Sequence, residues 1–207
     1  VFLEDYEDSR LRQKECLREE LEIPDHDKLI VHTGSLYKGG AELFGYTVKP
    51  KSFGRLLFIH IGGSVTECND WANFYKAKNI HNVIFRPHTS FETIKKYQSC
   101  ADALFYMSVP ESPIHWCTSP LKVFEYMASQ VPIIASIAGS VGEVLNVDNC
   151  FPFELENKLS ISVAVEDLFS DEKRAQLISH NAYNEVAKKY LWKTRVENIL
   201  KFSAVKI

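Results

Sequence analysis

The sequence lacks the patterns that mark several common classes of protein. Its five cysteines form no CxxC pair and its histidines form no cluster at ligand spacing, so neither a disulfide framework nor a zinc site is predicted. No apolar run reaches the roughly 18 residues of a membrane-spanning helix, and the first residues resemble no signal peptide. A net charge of -3 with scattered cations gives no field that would gather nucleic acid. A nucleic-acid partner is therefore not expected.

The sequence also lacks a starting methionine. We therefore expect the 207 residues to be part of a longer protein, whose targeting or membrane-binding segments would lie elsewhere. A chain of this length fits one large domain or a domain with an appendage. Its hydrophobic content of 45% is sufficient for a sizeable core.

Short apolar runs alternate with helical patterns along most of the chain. The runs, each typical of a buried strand, are 29–31, 56–61, 83–85, 103–106, 132–135 and 150–153. Helical patterns are predicted over 6–21, 70–77, 90–99, 120–128, 141–145, 171–190 and 192–202. This alternation predicts an α/β class protein with a Rossmann-like, doubly wound parallel sheet of about six strands, flanked by helices.

In such folds ligands bind where strand ends meet helix starts, so the loops that follow strands hold the candidate site. The first such loop contains Gly34, Ser35, Lys38 and Gly39. Glycine lets the backbone approach a ligand, and Lys38 can place a cation against a diphosphate. Taken alone, this loop is better explained as a tight turn with a solvated lysine. The same structural explanation is the better one for Gly62–Gly63, which follow the next strand.

A helix start after the fourth strand is the strongest candidate for a ligand-binding element. Ser119 at the N-cap and Pro120 at the first helical position are a common opening for a helix. The N–H groups of Leu121 and Lys122 would then point out of the helix end. Such an end favours a phosphate, and the Lys122 ammonium adds a full positive charge there.

One turn further into this helix, Glu125 is placed to reach a pair of ribose hydroxyls, as acidic residues do in other nucleotide sites. The alternative is an exposed helix glutamate, the commonest environment of that residue type. The buried stripe of the helix is predicted to consist of Val123, Phe124, Met127 and Ala128. Lys122 and Glu125 would lie off this stripe, with Tyr126 beside them.

The ordered motifs of the chain resemble the C-terminal domain of family 4 of the retaining GT-B glycosyltransferases (glycosyl transferases group 1). The resemblance covers about residues 28–200. It is carried by the segments 33–39, 101–102, 119–136 and 139–144, and by the region of Trp192. It implies one half of a GT-B enzyme that takes part in retaining, metal-independent transfer of a sugar from a nucleoside diphosphate sugar, a UDP- or GDP-sugar.

The resemblance also implies roles for individual residues. Lys38 matches the catalytic basic residue that neutralises the leaving diphosphate, and Glu125 matches the second glutamate of the E-x7-E motif, which holds the ribose. The loop at Arg86–Pro87 falls where relatives contact the nucleobase, and Gly62–Gly63 fall beside the sugar and phosphates. The full predicted donor site is Gly34, Ser35, Lys38, Gly39, Gly62, Gly63, Arg86, Pro87, Ser119, Pro120, Leu121, Lys122 and Glu125. No metal ligand and no obligatory cofactor are predicted.

Two positions depart from the family pattern. Ser35 stands where the family usually has an arginine, and Cys117 stands where the first glutamate of E-x7-E belongs. Neutralisation of the diphosphate would then depend on Lys38 with help from Lys122 or helix N–H groups. These departures motivate an alternative hypothesis, a catalytically inactive nucleotide-sugar-binding or scaffold module of the same fold. An epimerase of that fold would need acid and base residues that the sequence does not reveal.

The resemblance divides the chain into three segments. Residues 1–27 are predicted to be an entry helix or linker from a missing N-terminal domain, 28–190 the nucleotide-sugar-binding domain, and 191–207 a C-terminal helix. The missing domain would bind a glycan or lipid-linked acceptor, so this fragment alone is expected to bind nucleotide without transferring sugar. Relatives often serve polysaccharide biosynthesis, which implies a cytoplasmic protein, in peripheral association with the cytoplasmic face of a membrane.

Overall fold

A computed structural model describes Leu3 and residues 17–35, 55–108, 116–155 and 157–204. Two predicted site residues, Lys38 and Gly39, lie outside the described residues. Most of the helix predicted over 6–21 lies outside them as well, and 17–20 form a helical turn.

Six parallel strands form the sheet, which confirms the predicted fold class. The strands are β1 (Lys28–Thr33), β2 (Leu56–Ile61), β3 (Val83–Arg86), β4 (Ala103–Tyr106), β5 (Ile133–Ala135) and β6 (Phe151–Pro152). Their order across the sheet is β3-β2-β1-β4-β5-β6. Every pairing is parallel, with Lys28 beside Leu56 and Val31 beside Leu104. This is the order of a doubly wound dinucleotide-type fold.

In the part of the chain that the structure describes, six α-helices connect and cover the strands. They are α1 (Val65–Ala77), α2 (Phe91–Cys100), α3 (Leu121–Ala128), α4 (Lys158–Ser170), α5 (Glu172–Lys189) and α6 (Trp192–Ala204). Helix α1 begins five residues before its predicted start, because Ser64 and Glu67 form a reciprocal capping box. The short helix predicted over 141–145 is instead a 3₁₀ helix at Gly139–Glu143. In the described ranges, no helix combines the length and apolar character needed to cross a membrane.

Both faces of the sheet are buried, as expected for parallel strands. One face, which includes Val31, Ile59 and Leu104, packs against α3 and α5. The other, which includes Phe58 and Phe105, packs against α1, α4 and α5. The apolar runs of the sequence are continuous rather than alternating because β1 to β5 each contribute to both cores.

An ion pair anchors the segment before β1 to the amino end of the sheet. Arg18 Nη1 lies 3.0 Å from Asp102 Oδ2, which also accepts the Leu29 N–H at 2.8 Å. Arg18 Nη2 donates to the carbonyl oxygens of Pro24 and Asp27, each at 2.7 Å. Asp102, one of the residues that carried the resemblance, therefore has a structural role at the edge opposite the strand ends that bind ligands.

Paired positions of β1 and β2 hold a buried histidine pair, His32 and His60. Their Nδ1 atoms are 2.8 Å apart and their rings are stacked at 5.0 Å. One Nδ1 must donate and the other accept, so the accepting ring is neutral. Burial, with the charge of Lys122, lowers the pKa of both histidines, that of His60 to about 4.

This pair predicts a loss of stability in mild acid. An unfolded histidine titrates near pKa ~6.5. The unfolded chain therefore takes up protons first as the pH falls, and the pair's contribution, complete above that pH, is lost as the pH falls toward 4. We expect the Tm of the wild-type chain to fall more steeply between pH 6.5 and 4 than that of the double variant His32→Leu, His60→Leu. The exposed control His180→Asn should follow the wild type, and identical slopes in all three proteins would contradict the assignment.

Candidate functional site

The sheet reverses its winding between β1 and β4, so a crevice opens outside the carboxyl ends of these two strands. Thr33 and Gly34 lie at the end of β1, and Tyr106 ends β4. The first turn of α3 faces the same region, because the Lys122 side chain reaches both Gly34 and the Tyr106 ring. Elements distant in sequence therefore converge at one switch point.

Two glycines make the close backbone approach at this edge possible. Gly34 has φ +116° and Gly62 has φ +151°. The Gly34 N–H donates to Ile61 O, and the Gly62 N–H donates to Arg86 O, both at 2.9 Å. A Cβ atom on Gly62 would lie 1.9 Å from the Gly34 carbonyl oxygen. Gly62 is therefore required by the packing of one strand end against the next.

Lys122 occupies the space that a side chain on Gly34 would fill. A Cβ atom on Gly34 would lie 2.3 Å from Lys122 Nζ, and Nζ is 5.9 Å from the centroid of the Tyr106 ring. Burial lowers the pKa of Lys122 to about 8, while the nearby Glu125 carboxylate acts in the opposite direction. A partly desolvated cation is thus held against the backbone at the start of the first loop.

The start of α3 differs by one residue from the prediction. Pro120, with φ -71° and ψ 118°, is the N-cap, and Leu121 is the first helical residue. Ser119 is exposed, and no side chain caps the helix. The prediction was wrong because a proline φ suits both extended and helical backbone, and here ψ is extended. The N–H groups of Leu121 and Lys122 still belong to the open end of the helix.

Tyr126 was wrongly placed beside Lys122 and Glu125, off the buried stripe. Its side chain is fully buried, and its hydroxyl accepts the Thr33 N–H at 2.9 Å and bonds to Thr33 Oγ1 at 3.1 Å. Phe124 is half-buried and packs against the Tyr190 ring at 5.0 Å. The spacing of Val123, Tyr126 and Met127, i, i+3 and i+4, was the signal that could have identified the true stripe.

Glu125 lies half-buried between the crevice and a cavity of about 730 Å³. Burial raises the pKa of the Glu125 carboxyl, and the nearby Gln98 side chain and the Lys122 charge oppose that rise. Helix α6 also lines the cavity, with the apolar side chains of Trp192, Ile199 and Phe202 and with polar ones, Arg195 among them.

The remaining predicted residues lie around this centre. Arg86 and Pro87 are exposed at the end of β3, and the following His88 N–H donates to Gly63 O at 3.0 Å, which brings this loop beside Gly62–Gly63. Ser119 and Leu121 line the cavity. Cys117 is exposed just before α3. Across the ranges that the structure describes, no three histidine, cysteine or acidic side chains cluster as metal ligands.

The domain is doubly wound α/β, with glycine turns, a half-buried lysine and an open helix end at its switch point. It therefore belongs to the class of folds that bind ligands at that edge. Residues 27–171, well over half of the chain, match the model of the family described as glycosyl transferases group 1. The chain belongs to this family. A search of curated protein sequences found no significant match.

Solved structures of GT-B glycosyltransferases share the fold. HepE from Anabaena, crystallised with UDP and glucose, is 15% identical with a TM-score of 0.79, over 99% of this chain and 55% of HepE. The C-terminal domain of LpcC, a group 1 glycosyl transferase from Francisella tularensis, is 20% identical with a TM-score of 0.68, over 93% of this chain and 99% of that domain. Sucrose-phosphate synthase from Thermosynechococcus elongatus is 15% identical with a TM-score of 0.75, over 99% of this chain and 50% of the synthase. The chain thus spans about half the length of HepE and of the synthase, and it corresponds to a C-terminal GT-B domain.

The close approach of Gly34 and Gly62 predicts a graded response to alanine. Gly62→Ala should destabilise the chain by at least about 2 kcal/mol, because its Cβ collides with backbone that cannot move aside. Gly63→Ala should cost about 1 kcal/mol, since its φ of +76° is strained but its Cβ meets only the flexible end of Glu67, at 3.2 Å. Chemical denaturation measures both, and an equal or reversed order would refute the packing argument.

Proposed function

We propose that this chain is the donor-binding half of a retaining glycosyltransferase, and that its switch-point crevice binds the diphosphate and ribose of a nucleoside diphosphate sugar. The observation that carries the proposal is the position of the Lys122 ammonium against Gly34, at the open end of α3. A cation and helix N–H groups converge there on the edge of the sheet where such folds bind phosphates.

The charge at this point suits the chemistry of sugar transfer. When the bond between the anomeric carbon and the diphosphate breaks, the diphosphate leaves with the bonding electrons, and its developing charge needs a preorganised positive partner. Lys122 is such a partner, and Lys38 is proposed as a second from the first loop, with Gly34, Ser35 and Gly39 forming the backbone approach. Because lysines and helix N–H groups meet the charge, the proposed reaction does not require a metal ion.

The other predicted residues take their roles from this placement. Glu125, one turn from Lys122 on α3, is proposed to accept hydrogen bonds from the ribose hydroxyls. The backbone at Arg86–Pro87 is proposed to border the nucleobase, and Gly62–Gly63 the sugar and phosphates. Ser119, Pro120 and Leu121 form the helix opening that faces the diphosphate. UDP is the first ligand to test, because HepE structures contain UDP or UDP-glucose, with GDP next.

The acceptor is proposed to bind a second domain that precedes this one. The chain covers 55% of HepE and 50% of the synthase. We propose that 1–27 is the link from that domain, that 28–190 binds the donor, and that 191–207 returns toward the acceptor side. The exposed apolar side chains of α6, including Ile199 and Phe202, support such a return. A glycan or lipid-linked acceptor in polysaccharide biosynthesis, at the cytoplasmic face of a membrane, completes the proposal.

Calorimetry of the chain with UDP, GDP and ADP tests the donor-binding function directly. We expect binding of one of them and no sugar transfer by the chain alone. The LpcC domain, which this chain covers almost entirely, was crystallised as a separate C-terminal domain, which supports working with this half by itself. The absence of binding to all three at several millimolar would refute the proposal.

The alternative, an inactive binding or scaffold module, is motivated by Ser35 and Cys117. It predicts the same nucleotide binding by this half. The two hypotheses differ only in the full-length protein, which under the alternative would bind a nucleotide sugar yet neither hydrolyse nor transfer it with any acceptor extract.

Removal of the Lys122 charge should weaken binding of the nucleoside diphosphate and leave binding of the nucleoside almost unchanged. We expect Lys122→Met to weaken UDP binding by about tenfold or more, because a desolvated ion pair is lost, and to change uridine binding by less than about twofold. The exposed Lys173→Met, on α5, is the matched control and should bind UDP as the wild type does. Equal losses for UDP and uridine would exclude the assigned role.

The lowered pKa of Lys122 predicts a pH dependence. The ammonium is charged below its pKa of about 8, so UDP affinity should be constant from pH 7 to that value and fall above it, toward the affinity of Lys122→Met. In Lys122→Arg the side chain stays charged, and the affinity should then change little between pH 7 and 9.5. Calorimetry over that range checks both, and an identical decline in the arginine variant would show that another group titrates.

A further inference from the structure

Large apolar side chains that lie outside both cores gather around one cavity. Within the described residues, Phe91, Leu121 and Trp192 are 43%, 64% and 48% exposed, and none of them belongs to either hydrophobic core. All three line the cavity of about 730 Å³ described above, as do the exposed Ile199 and Phe202. A cavity of this size, with apolar walls and a few polar groups, is typical of sites that bind small molecules. The clustering therefore indicates a bound ligand.

Helix α3 presents one face to the crevice and another to this cavity. Lys122 and Tyr126, four residues apart, share the face that is directed at β1. Leu121 and Glu125, also four residues apart, share the face that lines the cavity. A ligand that contacts both Lys122 and Glu125 must therefore pass from the crevice side of the helix to its cavity side.

The structure of a nucleoside diphosphate indicates which part of it would enter the cavity. The ribose carries the diphosphate at C5′ and the base at C1′, and the edge with the 2′- and 3′-hydroxyls lies between them. In the proposed function Lys122 binds the diphosphate and Glu125 binds those hydroxyls. The base then lies on the side of Glu125 that is remote from Lys122, and that side is the cavity.

Phe91 is an aromatic side chain in a suitable position for the base. The Ser90 hydroxyl accepts the Thr93 N–H at 3.3 Å and caps α2, so Phe91 is the first residue of this helix. Lys95, one turn further on, has its Nζ 4.8 Å from the centroid of the Phe91 ring. The ammonium covers one face of the ring, and a planar base can stack on the other. The Arg86–Pro87 loop, proposed to border the base, belongs to the same connection between β3 and α2.

The start of α6 lines the cavity as well. Phe124 packs against the Tyr190 ring at 5.0 Å, which joins the end of α5 to α3. Trp192 begins α6 two residues later and contributes a second aromatic surface to the cavity. Asn198 lines the same cavity, and its side-chain amide can both donate and accept hydrogen bonds at the edge of a base.

We propose that this cavity binds the base of the donor nucleotide and that Phe91 stacks on that base. The inference rests on the proposed function, in which Lys122 binds the diphosphate and Glu125 the ribose. Stacking suits every base, because every base has a π-face. Phe91 therefore contributes affinity, and polar groups such as the Asn198 amide contribute the choice among bases.

Calorimetry with a nucleotide and with pyrophosphate, which lacks the base, tests this assignment. The nucleotide is the one among UDP, GDP and ADP that the wild type binds most tightly. We expect Phe91→Ala to weaken its binding about tenfold or more, since a stacking contact is lost, and to change pyrophosphate binding by less than about twofold. Phe91→Trp keeps an aromatic face and should bind the nucleotide within about threefold of the wild type.

Phe74→Ala is the matched control. Phe74, on α1, also has a lysine over its ring, with Lys78 Nζ 4.3 Å from the centroid, but it packs against the core on the other face of the sheet. This variant should bind the nucleotide as the wild type does. Equal losses for nucleotide and pyrophosphate in Phe91→Ala, or no loss for either, would overturn the inference and leave donor binding intact.

Photoaffinity labelling of the wild-type chain locates the base without any variant. 5-Azido-UDP, 8-azido-GDP and 8-azido-ADP carry their reactive group on the base. Mass spectrometry should find adducts on Phe91, on Leu121 or on residues 192–203, and excess unlabelled nucleotide should suppress them. Suppressible adducts that all lie outside the cavity lining would contradict the inference. Failure of the wild type to bind UDP, GDP or ADP would instead refute the proposed function, and the inference with it.

Discussion

The hydrogen bonds between the Tyr126 hydroxyl and Thr33 fix the geometry on which the rest of the candidate site depends. They join the middle of α3 to the last residue of β1, across the point where the sheet reverses its winding. Residues four apart in a helix lie on one face, so anchoring Tyr126 also directs Lys122 toward the same strand end. Glu125, the preceding residue, is turned toward α2 and the cavity. One buried tyrosine thereby sets the direction of a cation and of a carboxylate.

The second constraint is the absence of side chains where these groups meet. Gly62 lets the Gly34 carbonyl oxygen come within what would be 1.9 Å of a Cβ atom, and Gly34 leaves room for the Lys122 ammonium. Backbone atoms therefore form the base of the crevice, where they can approach a ligand closely. The positive charge comes from Lys122 on the neighbouring helix α3. Desolvation of Lys122 has a cost that is visible in its lowered pKa, and an anion bound in the crevice would offset that cost.

The fold could be predicted from sequence because the central strands are short apolar runs buried on both faces, a pattern that needs no knowledge of distant contacts. The errors occurred where a local signal was overlooked or ambiguous: the capping box of Ser64 and Glu67, the cap at Pro120, and a 3₁₀ turn too short to show a period. The topological rule brought the strand-end glycines and the start of α3 to one edge. That rule could not predict the buried contact of Gln98 with Thr33, nor that the Lys122 side chain points toward Gly34. Contacts between residues 65 to 93 positions apart cannot be recognised from local sequence spacing.

The position of the Lys122 ammonium against Gly34 also bears on whether this domain can be part of an active enzyme. Ser35 lacks the charge that the family pattern places after the first glycine, and taken alone it favours an inactive module. A cation nevertheless lies against Gly34, the residue next to Ser35, and it comes from α3 rather than from the first loop. Stabilisation of a leaving diphosphate depends on where the charge lies and not on which segment carries it. Ser35 is thus weak evidence for an inactive module. The hypothesis of inactivity depends instead on Cys117, which is exposed before α3 and stands where the family pattern has a glutamate.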